Sequence, residues 1–166
     1  VRGSDFSDPA YLVLDFVEWP TLGVMRKQLG VLSPVDVAAL GVEFVRGVRF
    51  MERRRMVHRD LKPDNIFARR TGDGFEAKIA DLGVWVDSGE AYETSLFGTA
   101  ETRLAGTPAY MSPEQLRSEA LTSASDLHMV ASILWEVATG HVPYPFRTAA
   151  TLAEALRDRH ERMRTV

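Results

Sequence analysis

Between Asp126 and Thr139 the chain is apolar on nearly every side of a prospective helix: Leu127, Val130, Ala131, Ile133, Leu134, Trp135, Val137 and Ala138, with a stop at Gly140. A helix without a polar face must be wrapped by the rest of its domain, so this stretch predicts the centre of a core, Trp135 included. A chain of 166 residues is long enough to supply that wrapping as one domain. The longest apolar run, Met129 to Ile133 around Ser132, falls far short of the ~20 residues that cross a bilayer, so no membrane segment is expected.

The other elements follow from spacing and punctuation. Tyr11 to Leu14 reads as a buried strand, and Pro20 stops any ladder beyond it. Thr21 caps a short helix that runs to Leu29 and ends at Gly30. Ser33-Pro34 opens a second helix, with Asp36 favoured in its first turn. Val37, Leu40, Phe44, Val45, Val48 and Met51 recur at helical spacing and extend it to about Arg53. Arg53-Arg54-Arg55 reads as cations on a last helical turn. A net charge of −3, from 20 basic against 23 acidic residues, argues against a nucleic-acid binder. Ile66 to Ala68 and Ala77 to Ile79 flank the turn signal Thr71-Gly72-Asp73-Gly74, which predicts a hairpin. Gly72 to Ala77 also fits the dinucleotide pattern G-x-G-x-x-A, but that pattern has to open a helix, and here a strand follows. Residues 87–107 form a long polar stretch without a period, and Ala149 to about Arg162 reads as a last helix with a thin stripe of Leu152, Ala155 and Leu156. The absence of cysteine excludes disulfides, thiolate metal sites and Cys nucleophiles. His128, His141 and His160 have no metal-ligand spacing. The chain starts Val1-Arg2-Gly3-Ser4 without Met or a leader and ends without a natural stop, so a fragment and a cytoplasmic location are the expectations.

The chemistry concentrates in His58-Arg59-Asp60-Leu61-Lys62-Pro63-Asp64-Asn65. Pro63 keeps Lys62 out of helix, so a carboxylate, an ammonium and an amide share one restricted loop. Alone, such a loop is an ordinary polar turn. A strand then delivers Asp81-Leu82-Gly83, and Gly83 permits a turn that aims the Asp81 carboxylate back at the loop. Asn65 and Asp81 offer hard oxygens, suited to Mg²⁺ bridging phosphates. Gly106-Thr107-Pro108-Ala109-Tyr110-Met111-Ser112-Pro113-Glu114 follows.

With these three motifs in this order, the chain resembles the eukaryotic-type protein kinases, on the Ser/Thr-specific side. The resemblance implies an α+β, mostly helical fold: a protein kinase-like C-terminal lobe truncated at both ends. Residues 1–17 would be the last N-lobe strand and the hinge, and 18–166 a partial C-lobe with catalytic loop 56–67 and activation segment 81–114. It implies ATP and Mg²⁺ as cofactors, proteins with Ser or Thr as substrates, and no nucleic-acid partner. Asp60 would orient the substrate hydroxyl and accept its proton, Lys62 would neutralise the γ-phosphoryl group, and Asn65 and Asp81 would hold Mg²⁺. The backbone of Asp15 and Val17 would meet the adenine edge, with Leu14 as gatekeeper and Phe67 flooring the pocket. Thr107 would hydrogen-bond near Asp60, and Asp126 would anchor the catalytic loop. His58 reads as a packed core residue under Leu82. Arg59 would pair with a phosphate in the activation loop, on Thr99 or Thr102.

The pattern also departs from the family. Leu82 stands where Phe is usual, Ala131 where glycine is, and His128 where an aromatic is. There is no glycine-rich loop and no strand lysine, since Lys27 is the first lysine in the chain. The fragment alone is therefore expected to be inactive, and the parent protein active. A non-catalytic, pseudokinase-like scaffold is the alternative, against which the retention of Asp60, Lys62, Asn65 and Asp81 counts. A small-molecule kinase of similar fold is a third reading, against which the Gly106–Glu114 segment counts.

Overall fold

The computed structural model describes residues 14–72, 74–81, 109–116 and 119–144. Among them the helices begin where hydroxyl caps predict. Thr21 accepts the Val24 amide at the head of α1 (Leu22–Leu29), and the Gly30 amide closes that helix on Arg26 O. Ser33 accepts the Asp36 amide at 3.2 Å to start α2 (Pro34–Glu52), whose second residue-type signal, proline in the first turn, costs no hydrogen bond there.

The predicted hairpin forms with longer arms than the apolar runs alone suggested. Strand β1 (Ile66–Thr71) pairs antiparallel with β2 (Gly74–Ile79) in the register Ile66↔Ile79 to Thr71↔Gly74. Arg69, Arg70 and Glu76 lie in these arms, because a strand with one solvent face needs apolar residues only at alternate positions. A short helix, α3 (Pro113–Leu116), follows, and then α4 (Ser123–Thr139). The last starts before Asp126, since Thr122 and Ser125 form a reciprocal capping box. It ends at Gly140 in the left-handed conformation (φ 80°), where a side chain would be strained.

The core lies where α2 crosses α4. Leu40, Phe44 and Val48 from the first interlock with Met129, Ile133 and Val137 from the second, together with Leu61 and Ile66 from the intervening loop and strand. Each such side chain contributes about 1.5–3 kcal/mol by leaving water. Gly47 lets β2 approach α2: a Cβ there would come within 2.6 Å of Ile79 Cδ1.

Three expectations need correction. Val45, counted on the buried stripe of α2, is 39% exposed, because it falls at the margin of that stripe. The central helix is not wrapped all round: Leu127 is 42% and Trp135 55% exposed, so Trp135 is not core. Leu14 belongs to no strand and is largely exposed, while Tyr11, Leu12 and Val13 lie outside the described residues. The long stretch 87–107 and the helix expected over 149–162 lie outside them too. Among the described residues no helix is long and apolar enough to cross a membrane.

Candidate active site

The site grows from the end of α2. Arg55 turns the chain with φ 57°, and the Met56 amide returns to Met51 O. The next segment enters the core at Val57 and His58, and there it meets Asp126 on the first turn of α4. The His58 amide donates to Asp126 Oδ2 at 2.8 Å and the Arg59 amide to Oδ1 at 3.0 Å. Asp126 is fully buried, and burial pushes its carboxyl above the usual range while the two amides pull the other way. The grip explains a strained backbone. Arg59 has φ 71°, a conformation that costs a non-glycine residue about 1–3 kcal/mol and persists only where its surroundings impose it.

His58 links this loop to the strand that leads to Asp81. Its Nε2 lies 2.9 Å from Ala80 O, and its Nδ1 accepts the Asp60 amide at 3.3 Å. A carbonyl can only accept and an amide N–H can only donate, so the ring is the neutral tautomer with its proton on Nε2. The residue is 2% exposed and serves as a structural bolt, in keeping with the core role expected of it.

Beyond the bolt, three polar side chains close on one another. Lys62 Nζ donates to Asp60 Oδ2 at 2.7 Å. Asn65 Nδ2 donates to Asp60 O at 2.9 Å and to Asp60 Oδ2 at 3.3 Å. Lys62 is extended (φ −154°, ψ 163°), as the following proline requires, and Pro63–Asn65 is a single 3-10 turn. The Ala80 amide then donates to Asn65 O at 2.9 Å, so Ala80, the chain neighbour of Asp81, is pinned to the loop at two points. Asp81 itself is exposed and turns the chain with φ 63°. Asp60, Lys62 and Asn65 are therefore brought together, with Asp81 directly beyond the same junction.

The other expected site residues divide between placed and undescribed. Phe67 is half-buried on β1, opposite Lys78 and bridged to Thr21, while Asp15 is exposed and Val17 half-buried in the segment ahead of α1. Arg59 is buried beside the cluster. Thr99, Thr102 and Thr107, like Leu82 and Gly83, lie outside the described residues.

Two features escaped the sequence reading. Gln115 Nε2 donates to Arg59 O at 2.6 Å, tying α3 to the strained residue. Its signal was present in Ser112-Pro113-Glu114-Gln115, an S-x-x-Q capping box in which Ser112 and Gln115 exchange hydrogen bonds. The second is a trio around buried Glu136: Tyr110 OH donates to Glu136 Oε2 at 2.6 Å, and half-buried Arg26 pairs with Glu136 Oε1 at 3.2 Å. Burial, reinforced by that bond to a carboxylate, pushes the Tyr110 hydroxyl well above its ordinary value. No local pattern announces this trio, since its members come from three distant segments.

Glu114 gives a pH signature. Burial would raise its carboxyl, but hydrogen bonds from Ser125, from its own backbone amide and from Ser112 prevail and hold it below the usual 4.5. A carboxyl lowered on folding contributes stability that is complete above its unfolded value and is lost as pH falls through its folded one. In urea titrations at pH 6 and pH 3, Glu114→Gln should lose less stability on acidification than the unmodified chain. An equal loss in both would mean that this carboxyl carries none of the acid sensitivity.

The donor set fits a hard divalent cation held jointly with phosphates. Among the described residues no group of three His, Asp or Glu is placed to hold a metal unaided. With Asn65 Nδ2 committed to Asp60, the oxygen Oδ1 is what the amide has left to offer a ligand, and Asp81 adds an exposed carboxylate. Mg²⁺ is commonly held by one or two such oxygens, with substrate phosphates and water completing the octahedron.

The sequence matches the family described as Protein kinase domain over residues 4–166. It is similar to serine/threonine-protein kinase PknL of Mycobacterium tuberculosis, 33% identical over 152 residues, covering 92% of this chain and 36% of that protein. Serine/threonine-protein kinase PrkC of Bacillus subtilis is 30% identical over 149 residues, covering 88% of this chain and 21% of PrkC. The inactive serine/threonine-protein kinase PLK5 of Mus musculus is 30% identical over 153 residues, covering 92% of this chain and 24% of PLK5. The chain thus spans between 21% and 36% of the length of these relatives.

Proposed function

Because this chain belongs to the protein kinase domain family, we propose that it is the catalytic-loop portion of a Ser/Thr protein kinase that moves the γ-phosphoryl group of ATP to protein hydroxyls. In this reading residues 1–17 carry the last N-lobe strand and hinge, and 18–166 a partial C-lobe. The observation that carries it is the bonded cluster of Asp60, Lys62 and Asn65, whose loop is bolted to the residue before Asp81.

Each residue then has a task. The backbone of Asp15 and Val17 binds the adenine edge, over a floor that includes Phe67. Asn65 and Asp81 hold Mg²⁺, which when bound supplies positive charge beside the phosphate oxygens. Lys62 neutralises charge on the group in transit. Asp60 orients the substrate hydroxyl: as its oxygen bonds to the γ-phosphorus and the bond to the ADP oxygen breaks, the Asp60 carboxylate takes the proton. Thr107 hydrogen-bonds beside Asp60, and Arg59 pairs with a phosphate on Thr99 or Thr102. Little covalent help is needed, because positioning and charge neutralisation carry most of phosphoryl transfer.

The second reading is a pseudokinase-like scaffold, favoured by similarity to an inactive relative. The two separate when this chain, alone and joined to a complete N-lobe, is incubated with γ-labelled ATP, Mg²⁺ and casein. A kinase gives Ser- and Thr-bound label with the complete domain and none with the chain alone. Nucleotide binding without transfer supports the scaffold, and neither binding nor transfer overturns the kinase reading.

A further inference from the structure

The segment that leads into α1 is tied to the hairpin by an unusual side-chain contact. Among the described residues, positions 14–19 make no backbone–backbone hydrogen bond; the first anchors are Pro20 O, which accepts the Ala68 amide, and the Thr21↔Phe67 bridge. Directly before them stands Trp19, half-buried, with two cations against its ring. Arg69 Cζ lies 4.4 Å from a ring centre and Lys78 Nζ 4.7 Å.

Both cations come from the hairpin, one from each strand. The register pairs Arg69 with Glu76 and Phe67 with Lys78, so alternation puts all four on one face. Arg69 is itself braced, donating through Nε and a terminal nitrogen to Glu76 Oε2 at 2.9 and 2.6 Å. An indole within reach of two cations, one of them bonded to a cross-strand carboxylate, is a surface clasp of defined geometry. What it joins matters: Asp15 and Val17 lie immediately upstream of Trp19, and Phe67 shares the face of Arg69 and Lys78.

We propose that Trp19, gripped by Arg69 and Lys78, is a positioning residue for the nucleotide: it sets the spacing between the hinge backbone and Phe67. The inference rests on the kinase reading above and assigns Trp19 no contact with the reacting atoms. The clasp acts through the groups that border adenine, so it governs nucleotide affinity and leaves the transfer step and the protein substrate alone.

Steady-state kinetics of the complete kinase domain test it. Trp19→Leu should raise the KM for ATP by about 3- to 10-fold, the range of one or two cation–π contacts, with kcat within about two-fold and the KM for protein substrate unchanged. Trp19→Phe keeps a ring for the cations and should recover most of the loss. The double variant Arg69→Gln/Lys78→Gln should reproduce Trp19→Leu. Turnover by the unmodified domain with an unmoved ATP KM in Trp19→Leu overturns the clasp alone. So does a fall of kcat and of the thermal midpoint accompanied by a rise in both KM values, which would mark a merely structural contact. An unmodified domain that binds no nucleotide overturns the kinase reading and the clasp with it.

Discussion

Asp60→Asn in the complete kinase domain should lower kcat by about 10²–10⁴-fold, the usual contribution of a positioned proton acceptor. The substitution keeps the shape of the side chain and an oxygen for the Asn65 amide, which reaches both Asp60 O and Asp60 Oδ2. What it removes is the carboxylate that takes the hydroxyl proton. Stability should barely move: Asp60 and Lys62 are 30% and 26% exposed, and an ion pair open to water contributes only about 0–1 kcal/mol. The expected signature is a collapse of kcat with the KM for ATP within a few-fold and the thermal midpoint nearly constant. If Asp60→Asn keeps more than about a tenth of the activity, general-base work by this residue is wrong by the same arithmetic.

Asp126→Ala should cost folding stability and activity together, for a different reason. Two buried amides, of His58 and Arg59, lose their acceptor, and an orphaned buried donor costs about 1–3 kcal/mol. The sum is about 2–6 kcal/mol, and the lower half is expected because a carboxyl that burial disfavours no longer has to be buried. Against a typical domain stability of about 5–15 kcal/mol this is a large fraction. The Arg59 amide would lose its anchor while the residue sits at φ 71°, and the relaxation reaches Asp60 through the backbone. Asp126→Asn is the sharper variant. Its single oxygen can serve one amide, while its NH₂ faces the other donor, so it too should lose stability despite nearly unchanged volume. Urea unfolding of the three proteins decides: equal midpoints would mean the tether does not hold the loop.

Several parts of this structure were legible before any coordinates. Thr21, Ser33 and Gly140 mark helix ends because a cap acts within four residues, and the sequence displays that whole neighbourhood. The hairpin was legible for the same reason, and its turn excluded the dinucleotide pattern that overlaps it. Gln115 was equally local, and the capping box around it went unread. The exposure of Val45 and Trp135 was not local, because helical period says which residues share a face and never which face another element covers.

By itself, then, the amino-acid order determined the family, the helix ends, the hairpin and the residue types gathered between His58 and Asn65. Folding in three dimensions decided the rest. It set Asp126 under amides 67 and 68 positions away, put the His58 proton on Nε2, and leaned the Trp19 ring on Arg69 and Lys78. The reason is range: capping and turn preferences are settled among neighbours along the chain, whereas a buried carboxylate or a ring met by two cations depends on which distant backbone arrives beside it.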